Sequence, residues 1–128
     1  ISQNFETIHT LQRKKEVDLL AKFKTNNTTF LQINIDNDIN KTGLKVDNLF
    51  NMFEYCLENS IIPVGLMTIP NINSDPKYVF SELSKLNETL KKNYHQYKGE
   101  LSMGMSDDYQ IALDYGATIV RIGTKLFT

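Results

Sequence analysis

The chain has 128 residues, 41% of them hydrophobic and 23% charged, with 14 Lys and Arg against 15 Asp and Glu. These are the values of one globular domain, 1–128, and they exclude wholesale disorder; a net charge of −1 gives no electrostatic basis for binding nucleic acid or an anionic membrane. The single cysteine, Cys56, excludes an internal disulfide and a cysteine-built zinc site.

Targeting signals are not visible in the sequence. No apolar run reaches the ~18–20 residues of a membrane span. No basic segment followed by an apolar one opens the chain, so we expect a cytoplasmic protein. The chain begins with Ile1 rather than Met, which indicates a fragment or a processed chain.

The first part of the chain predicts a strand, a helix and a second strand. Residues 5–10 (FETIHT) favour a strand, and residues 11–24 have the apolar spacing of an amphipathic helix. Residues 28–36 (TTFLQINID) are β-branched and mostly apolar, which indicates a buried strand. A polar loop is expected over 36–43.

The middle of the chain predicts two helices around a strand. Residues 45–59 have apolar positions at helical spacing, beginning with Val46. Residues 61–69 (IIPVGLMTI) read as a buried strand. Residues 76–97 read as a long helix, with Pro76 suited to its first turn.

The last part repeats the pattern once more. A strand is expected over 100–105 (ELSMGM), a short helix over 106–115 and a strand over 118–122 (TIVRI). Gly116 is suited to ending the helix.

Five strands alternating with four helices predict a parallel α/β sheet with helices packed against it. An open doubly wound sheet and part of a (β/α)8 barrel both fit this alternation. A full barrel takes about 200–250 residues, so this chain would supply about the last five of eight units.

The segment LSMGMSDD at 101–108 places Ser106 at a predicted strand-to-helix turn. One interpretation is structural: Ser106 caps the helix, and Asp107 and Asp108 occupy its first turn. The other is functional, because N–H groups and a hydroxyl at such a turn bind anions, phosphate above all. The two are compatible, provided that the carboxylates point away from the anion.

A second turn of this kind follows the last predicted strand. In the segment RIGT at 121–124, Gly123 permits close backbone approach and Thr124 adds a hydroxyl, while Arg121 precedes the turn. The loops after the last two strands of a barrel commonly bind phosphate. Two such turns therefore suit a phosphate site, although Arg121 alone could equally be an ion-paired surface residue.

Other polar residues carry weaker signals. Asn34 lies inside a predicted buried strand, so its amide either faces a site or forms a structural bridge. His9 and His95 are not spaced with carboxylates as metal ligands, and we expect no metal site. Cys56 is expected in the core. The loop 40–43 (NKTG) fits any strand-to-helix connection.

Seven short segments together resemble the pyridoxal phosphate homeostasis proteins (the YggS/PROSC type). In chain order they are QINI at 32–35, NKTGL at 40–44, GLMTIP at 65–70, LSMGMSDD at 101–108, IA at 111–112, GAT at 116–118 and VRIGT at 120–124. The resemblance implies a barrel similar to that of alanine racemase, a fold-type III architecture for pyridoxal 5'-phosphate.

The resemblance also implies roles for individual residues. Ser106 and the backbone around Met105 match phosphate ligands, as do Gly123 and Thr124. Arg121 matches the arginine that faces the pyridine nitrogen of the cofactor. Asn34 and Met67 match strand positions that line the cofactor pocket.

One part of the family pattern is not matched. In the family a lysine on the first strand of the barrel holds the cofactor, and the present sequence resembles the portion that follows it. The chain is therefore expected to carry the phosphate-binding half. We expect it to self-associate or to need the other half for stability, because a partial barrel leaves open strand edges.

Three functions remain open at this point. The first is a non-catalytic pyridoxal phosphate-binding protein that could hand the cofactor to pyridoxal phosphate-dependent enzymes. The second is an amino-acid racemase, which would need a second catalytic base. The third is a sugar-phosphate-binding barrel enzyme, with catalytic carboxylates or a lysine at its strand ends.

Overall fold

The structure, a computed structural model, describes residues 7–23, 27–36, 42–71 and 73–121. Within these ranges strands and helices alternate along the chain. They are β1 (Thr7–Leu11), α1 (Lys14–Phe23), β2 (Asn27–Asn34), β3 (Leu44–Lys45), α2 (Leu49–Glu58), β4 (Gly65–Met67), α3 (Pro76–Asn93), β5 (Glu100–Met105), α4 (Tyr109–Asp114) and β6 (Ile119–Arg121). A 3-10 turn, Val46–Asn48, joins β3 to α2.

The sheet has the topology of a barrel segment. Its strands pair in parallel in the order β1-β2-β4-β5-β6, and the short β3 pairs with the end of β2. A doubly wound sheet reverses its strand order at a switch point, whereas this order runs in one direction. Of the two architectures that the alternation allowed, the structure therefore fits the partial (β/α)8 barrel.

The strand register separates the two faces of the sheet. Leu31, Leu66 and Leu101 are aligned across β2, β4 and β5, and all three belong to the hydrophobic core that the helices share. Successive strand residues point to opposite faces. The next aligned set, residues 32, 67 and 102, therefore lies on the opposite face, which we call the inner face.

The first helix begins later than its apolar spacing predicts. Residues 11–24 were expected to be helical, but Leu11 ends β1 and is buried there, and α1 starts at Lys14. The carboxylate of Glu16 accepts hydrogen bonds from the backbone N–H groups of Gln12 and Arg13, at 2.8 and 3.0 Å. These bonds hold the turn that separates strand from helix.

The second helix and the strand after it are also shorter than predicted. Residues 45–59 were expected to be one helix, yet the helix starts only at Leu49, and Val46 is 37% exposed rather than buried. The strand predicted over 61–69 is confined to β4. Pro63 has no N–H group to add to the sheet, which explains its late start.

The long helix α3 begins where it was predicted but ends earlier than predicted. Asp75 accepts a hydrogen bond from the Lys77 N–H at 3.0 Å, and Pro76 occupies the first turn as expected. The helix ends at Asn93, before the predicted residue 97. Although α3 is long, no helix within the described ranges could cross a membrane.

Candidate functional site

Four of the predicted site residues end four parallel strands. Asn34 is the last residue of β2, Met67 of β4, Met105 of β5 and Arg121 of β6. Because the strands are parallel, all four carboxyl ends lie at one edge of the sheet. In barrels this edge carries the functional sites. The structure thus brings together positions that lie far apart in the sequence.

A register shift turns the end of β5 toward the inner face. Ser102 pairs with Ile119, but Met105 pairs with Arg121, so β5 uses one residue more than β6 between these pairs. Met103 is buried in the core that the helices share, and a Cβ atom on Gly104 would lie 2.6 Å from the Cβ atom of Ala112 in α4. Two consecutive residues therefore face the helices.

This bulge has a direct effect on Met105. Met105 pairs with Arg121 across the two strands, and it is 47% exposed instead of being buried in the core that the helices share. Bulges beside functional sites commonly redirect a side chain in this way.

The turn after β5 is built differently from the predicted helix cap. The Asp108 carboxylate accepts a hydrogen bond from the Met105 N–H at 2.6 Å, and the Asp108 N–H donates to the Met105 carbonyl at 3.2 Å. Helix α4 begins at Tyr109, with no side-chain cap at Asp108. The expectation that Ser106 caps a helix over 106–115 is therefore wrong. Ser106 lies in the turn and is half-buried.

Met67 and Asn34 lie on the inner face near the same edge. Met67 is buried, in register with Gln32 and Ser102. The Gln32 amide donates to the Thr42 hydroxyl at 3.1 Å, which holds the start of β3 close to this face. Asn34 is half-buried and lies two residues beyond Gln32, on the same side of β2.

A cavity of about 360 Å³ opens beside Asn34. Its other lining residues are Ile35, Lys45, Val46 and Asp47. Sequence reasoning missed the last three because it placed them in a helix. Asn48 is a residue type that favours the position before a helix, and this signal could have moved the predicted start to Leu49.

The loops after β2 and β4 are tied together by Asp36. Its carboxylate accepts from the Asn71 N–H at 2.7 Å and from the Ser74 hydroxyl at 2.8 Å. These two hydrogen bonds link the loops that follow β2 and β4, the strands that end at the predicted site residues Asn34 and Met67. Nothing in the sequence pattern singled out Asp36.

Some of the predicted residues lie outside what the structure describes. Gly123 and Thr124 fall beyond the described ranges, as do residues 40 and 41 of the NKTG loop. For Arg121 and His9 the structure describes the backbone but not the side chain. The roles expected for Gly123, Thr124 and the Arg121 guanidinium therefore stay predictions.

The structure also locates groups that do not belong to the site. Cys56 is in the core as predicted, and burial raises the pKa of its thiol to about 12, so it is no nucleophile near neutral pH. Among the described residues, no group of three or more His, Cys, Asp or Glu side chains is arranged to hold a metal ion.

Solved structures share this fold. PipY of Synechococcus elongatus PCC7942, solved without PLP, is 25% identical with a TM-score of 0.83 over 98% of this chain and 63% of its own. The same protein with PLP bound gives a TM-score of 0.73. An arginine decarboxylase of Paramecium bursaria Chlorella virus, 18% identical with a TM-score of 0.65, shares the fold alone.

Curated proteins match in sequence, whereas no protein-family model matches the chain. A pyridoxal phosphate homeostasis protein of Aquifex aeolicus is 41% identical over 94% of this chain and 56% of its own length. Another, from Vibrio cholerae, is 35% identical over 99% of this chain and 57% of its own. The chain is therefore a relative of the pyridoxal phosphate homeostasis proteins and spans rather more than half their length.

Proposed function

We propose that the chain binds pyridoxal 5'-phosphate and serves in the homeostasis of this cofactor. The observation that carries the proposal is the meeting of Asn34, Met67, Met105 and Arg121 at the carboxyl ends of four adjacent strands. The PipY structure with PLP bound supports it, because that protein has the same fold and is 25% identical.

The residues present suit a phosphorylated aromatic ligand. The cavity beside Asn34, about 360 Å³, lies within the ~300–1,000 Å³ usual for small-molecule pockets. Val46 and Met105 present exposed apolar surface at this edge, and Asn34 and Ser106 present an amide and a hydroxyl. Such a combination can contact a ring and fix its polar substituents.

In this proposal the phosphate is bound at the turns after β5 and β6. The Ser106 hydroxyl donates to a phosphate oxygen, and Gly123 and Thr124 contribute from the second turn. The Asp108 carboxylate is bonded to the Met105 N–H. Its negative charge is therefore directed at the β5 backbone, which reduces the conflict with a bound anion.

The same proposal assigns a restraining role to Arg121. When bound, pyridoxal phosphate supplies a reactive aldehyde and an electron-withdrawing pyridine ring. A guanidinium has only donors and stays charged, so beside the ring nitrogen it keeps that nitrogen unprotonated. An unprotonated ring is a weaker electron sink, and we therefore infer a binding role rather than strong catalysis. Pyridoxal phosphate-dependent enzymes are the proposed recipients.

Titration of the 128-residue chain with pyridoxal phosphate, followed by its absorbance spectrum, tests the binding. Ser106→Ala should weaken binding about tenfold or more, since a hydrogen bond to a charged group is worth about 1.5–3 kcal/mol. Ser84→Ala, on α3 away from the site, is the matched control and should leave the affinity unchanged. Equal affinities for the two variants would contradict the phosphate assignment.

A racemisation assay separates this function from the racemase alternative. The chain is incubated with pyridoxal phosphate and an L-amino acid, and formation of the D-isomer is measured. We expect no rate above that of the free cofactor. Arg121→Glu should raise the rate, because a carboxylate beside the ring nitrogen favours its protonation. A rate that this substitution leaves unchanged would contradict the restraining role of Arg121, and turnover without any substitution would favour the racemase.

A further inference from the structure

We propose that a second cavity, between the starts of α1 and α2, binds a small carboxylic acid with a short apolar chain. This cavity measures about 290 Å³. Its lining residues come from the turn after β1, from α1, from β3 and from the start of α2, and they are Gln12, Lys14, Leu44, Asn48, Asn51 and Met52. The cavity beside Asn34 is lined by other residues, so the proposal concerns a site of its own.

Strand β3 lies between the two cavities. Lys45 lines the cavity beside Asn34, whereas the preceding residue, Leu44, lines the second cavity. Successive strand residues point to opposite faces. Leu44 is aligned with Ile33, and both belong to the core that the helices share. The second cavity therefore lies on the helix side of the sheet, away from the inner face where pyridoxal phosphate is proposed to bind.

The polar side chains of this cavity can all donate hydrogen bonds. The side-chain oxygen of Gln12 accepts a hydrogen bond from the Gly43 N–H, which leaves the NH2 group of Gln12 as the donor for a ligand. Lys14 adds an ammonium group, and Asn48 and Asn51 add two further amides. A carboxylate has only acceptors, so it suits the polar end of the ligand.

The position of Lys14 is favoured by an aromatic ring. Its Nζ lies 5.0 Å from the centroid of the Tyr55 ring, within the ~6 Å of a cation–π contact. The Tyr55 hydroxyl donates in turn to the carboxylate of Asp18. The ion pairs found among the described residues are formed by other lysines. The ammonium of Lys14 can therefore pair with an anionic ligand.

The carboxylates near this cavity oppose an anion only weakly. Glu16 accepts two backbone N–H groups of the turn before α1, and Asp18 is bonded to the Tyr55 hydroxyl. Both negative charges are thus partly balanced by donors. Residues 13–15 (RKK) place three consecutive positive charges at the start of α1. The local potential therefore favours an anionic ligand.

The floor of the cavity is apolar. Leu44 and Met52 line it and are otherwise buried in the core. A short alkyl chain on this floor would be removed from water, which is favourable. The volume lies just below the ~300–1,000 Å³ usual for ligand pockets, so the ligand is small. A short-chain monocarboxylate combines this apolar part with the acceptor end.

Saturation-transfer NMR with pentanoate as the probe tests the site, because the method detects weak binding to a large or self-associated protein. We expect the 128-residue chain to bind pentanoate with a Kd on the order of 1 mM, as for a ligand of few atoms. 1-Pentanol, which has the same chain without the carboxylate, should bind more weakly.

Variants of the two neighbouring lysines locate the site. Lys14→Met removes the charge and keeps the stem, and it should weaken pentanoate binding about tenfold. Lys14→Arg keeps the charge and should retain binding. Lys15→Met is the matched control, since Lys15 is the next residue of α1 but does not line the cavity, and it should leave the affinity unchanged.

Three results would overturn the proposal. Pentanoate and 1-pentanol of equal affinity would show that the carboxylate is not recognised. Equal losses in Lys14→Met and Lys15→Met, or no saturable binding of pentanoate, would show that the cavity is not the site. Pyridoxine phosphate should not displace pentanoate. Displacement would place pentanoate at the carboxyl edge with the cofactor, which would overturn the second site and leave the proposed function standing.

Discussion

Two ionisable side chains of the core, Cys56 and Tyr97, are kept protonated by burial. Burial raises the pKa of the Cys56 thiol to about 12, and burial with the nearby charge of Glu100 raises the pKa of Tyr97. The Tyr97 hydroxyl donates to Asn87, whose amide donates to the Gly99 carbonyl at 2.8 Å. Tyr97 and Asn87 thereby connect α3 to the segment before β5, whereas Cys56 lies in α2.

The thiol of Cys56 should react slowly in the folded protein. A pKa of about 12 instead of 9 lowers the thiolate fraction at pH 8 by about a thousandfold, before any loss of access is counted. Labelling by a thiol reagent should therefore be slow in buffer and fast in denaturing urea. The folded-state rate should rise with pH up to about 12. Rapid labelling in buffer at pH 8 would show that Cys56 is accessible.

At the scale of elements, the contact of α4 with β5 depends on Gly104. This residue has a φ of +101°, and an added Cβ atom would lie 2.6 Å from the Cβ atom of Ala112. Gly116 has a similar φ of +97°, but its added Cβ atom would meet only Leu101, at 3.8 Å. The two glycines therefore differ in crowding and not in backbone conformation.

Alanine substitutions at these two glycines should separate strain from crowding. Gly116→Ala should lower the free energy of unfolding by about 1–2 kcal/mol, the cost of a left-handed backbone. Gly104→Ala should lose about 1–3 kcal/mol more, because a methyl group is forced into a packed contact. Urea denaturation measures both. Ala112→Gly combined with Gly104→Ala should recover part of the added loss; equal losses at the two glycines would contradict the bulge geometry.

Strand positions and the start of α3 could be predicted from the sequence, whereas the starts of α1, α2 and α4 could not. The strands are stretches of apolar residues, and this pattern located all five in the main sheet. The beginnings of α1 and α4 depend instead on hydrogen bonds to one carboxylate each, from the Gln12 and Arg13 N–H groups to Glu16 and from the Met105 N–H to Asp108. The spacing of apolar residues does not predict such hydrogen bonds.

The residues of the candidate site could be predicted only where they depend on the positions of the strands. Asn34, Met67 and Met105 could be placed on strands because the strands were predictable, but the predicted strands over 28–36 and 61–69 run two residues past Asn34 and Met67, where β2 and β4 end. The direction of Met105 could not be, since the extra residue in β5 reverses the alternation of its faces. The position of Lys45 beside the cavity could not be predicted, because β3 has only two residues and is adjacent to a helix.

At the scale of the whole molecule, the two outer strands of the sheet determine where further strands can pair. Among the described residues, β1 pairs only with β2 and β6 only with β5. Each outer strand thus presents one row of backbone donors and acceptors to further pairing.

We therefore predict that the 128-residue chain associates with itself through these edges. Sedimentation velocity at increasing protein concentration should show species larger than one chain. Addition of the remaining half of a curated relative should reduce this association, because its strands compete for the same edges. A single monomeric species at all concentrations would contradict the prediction.

The one-directional strand order also determines how the sheet can form during synthesis. Apart from the short β3, every strand pairs with the strand that precedes it in the chain, so each new pairing closes only one intervening helix and its loops. Short loop closures carry the smaller entropic cost and are made sooner. During synthesis each of β2, β4, β5 and β6 follows a strand with which it pairs, so these pairings can form in chain order.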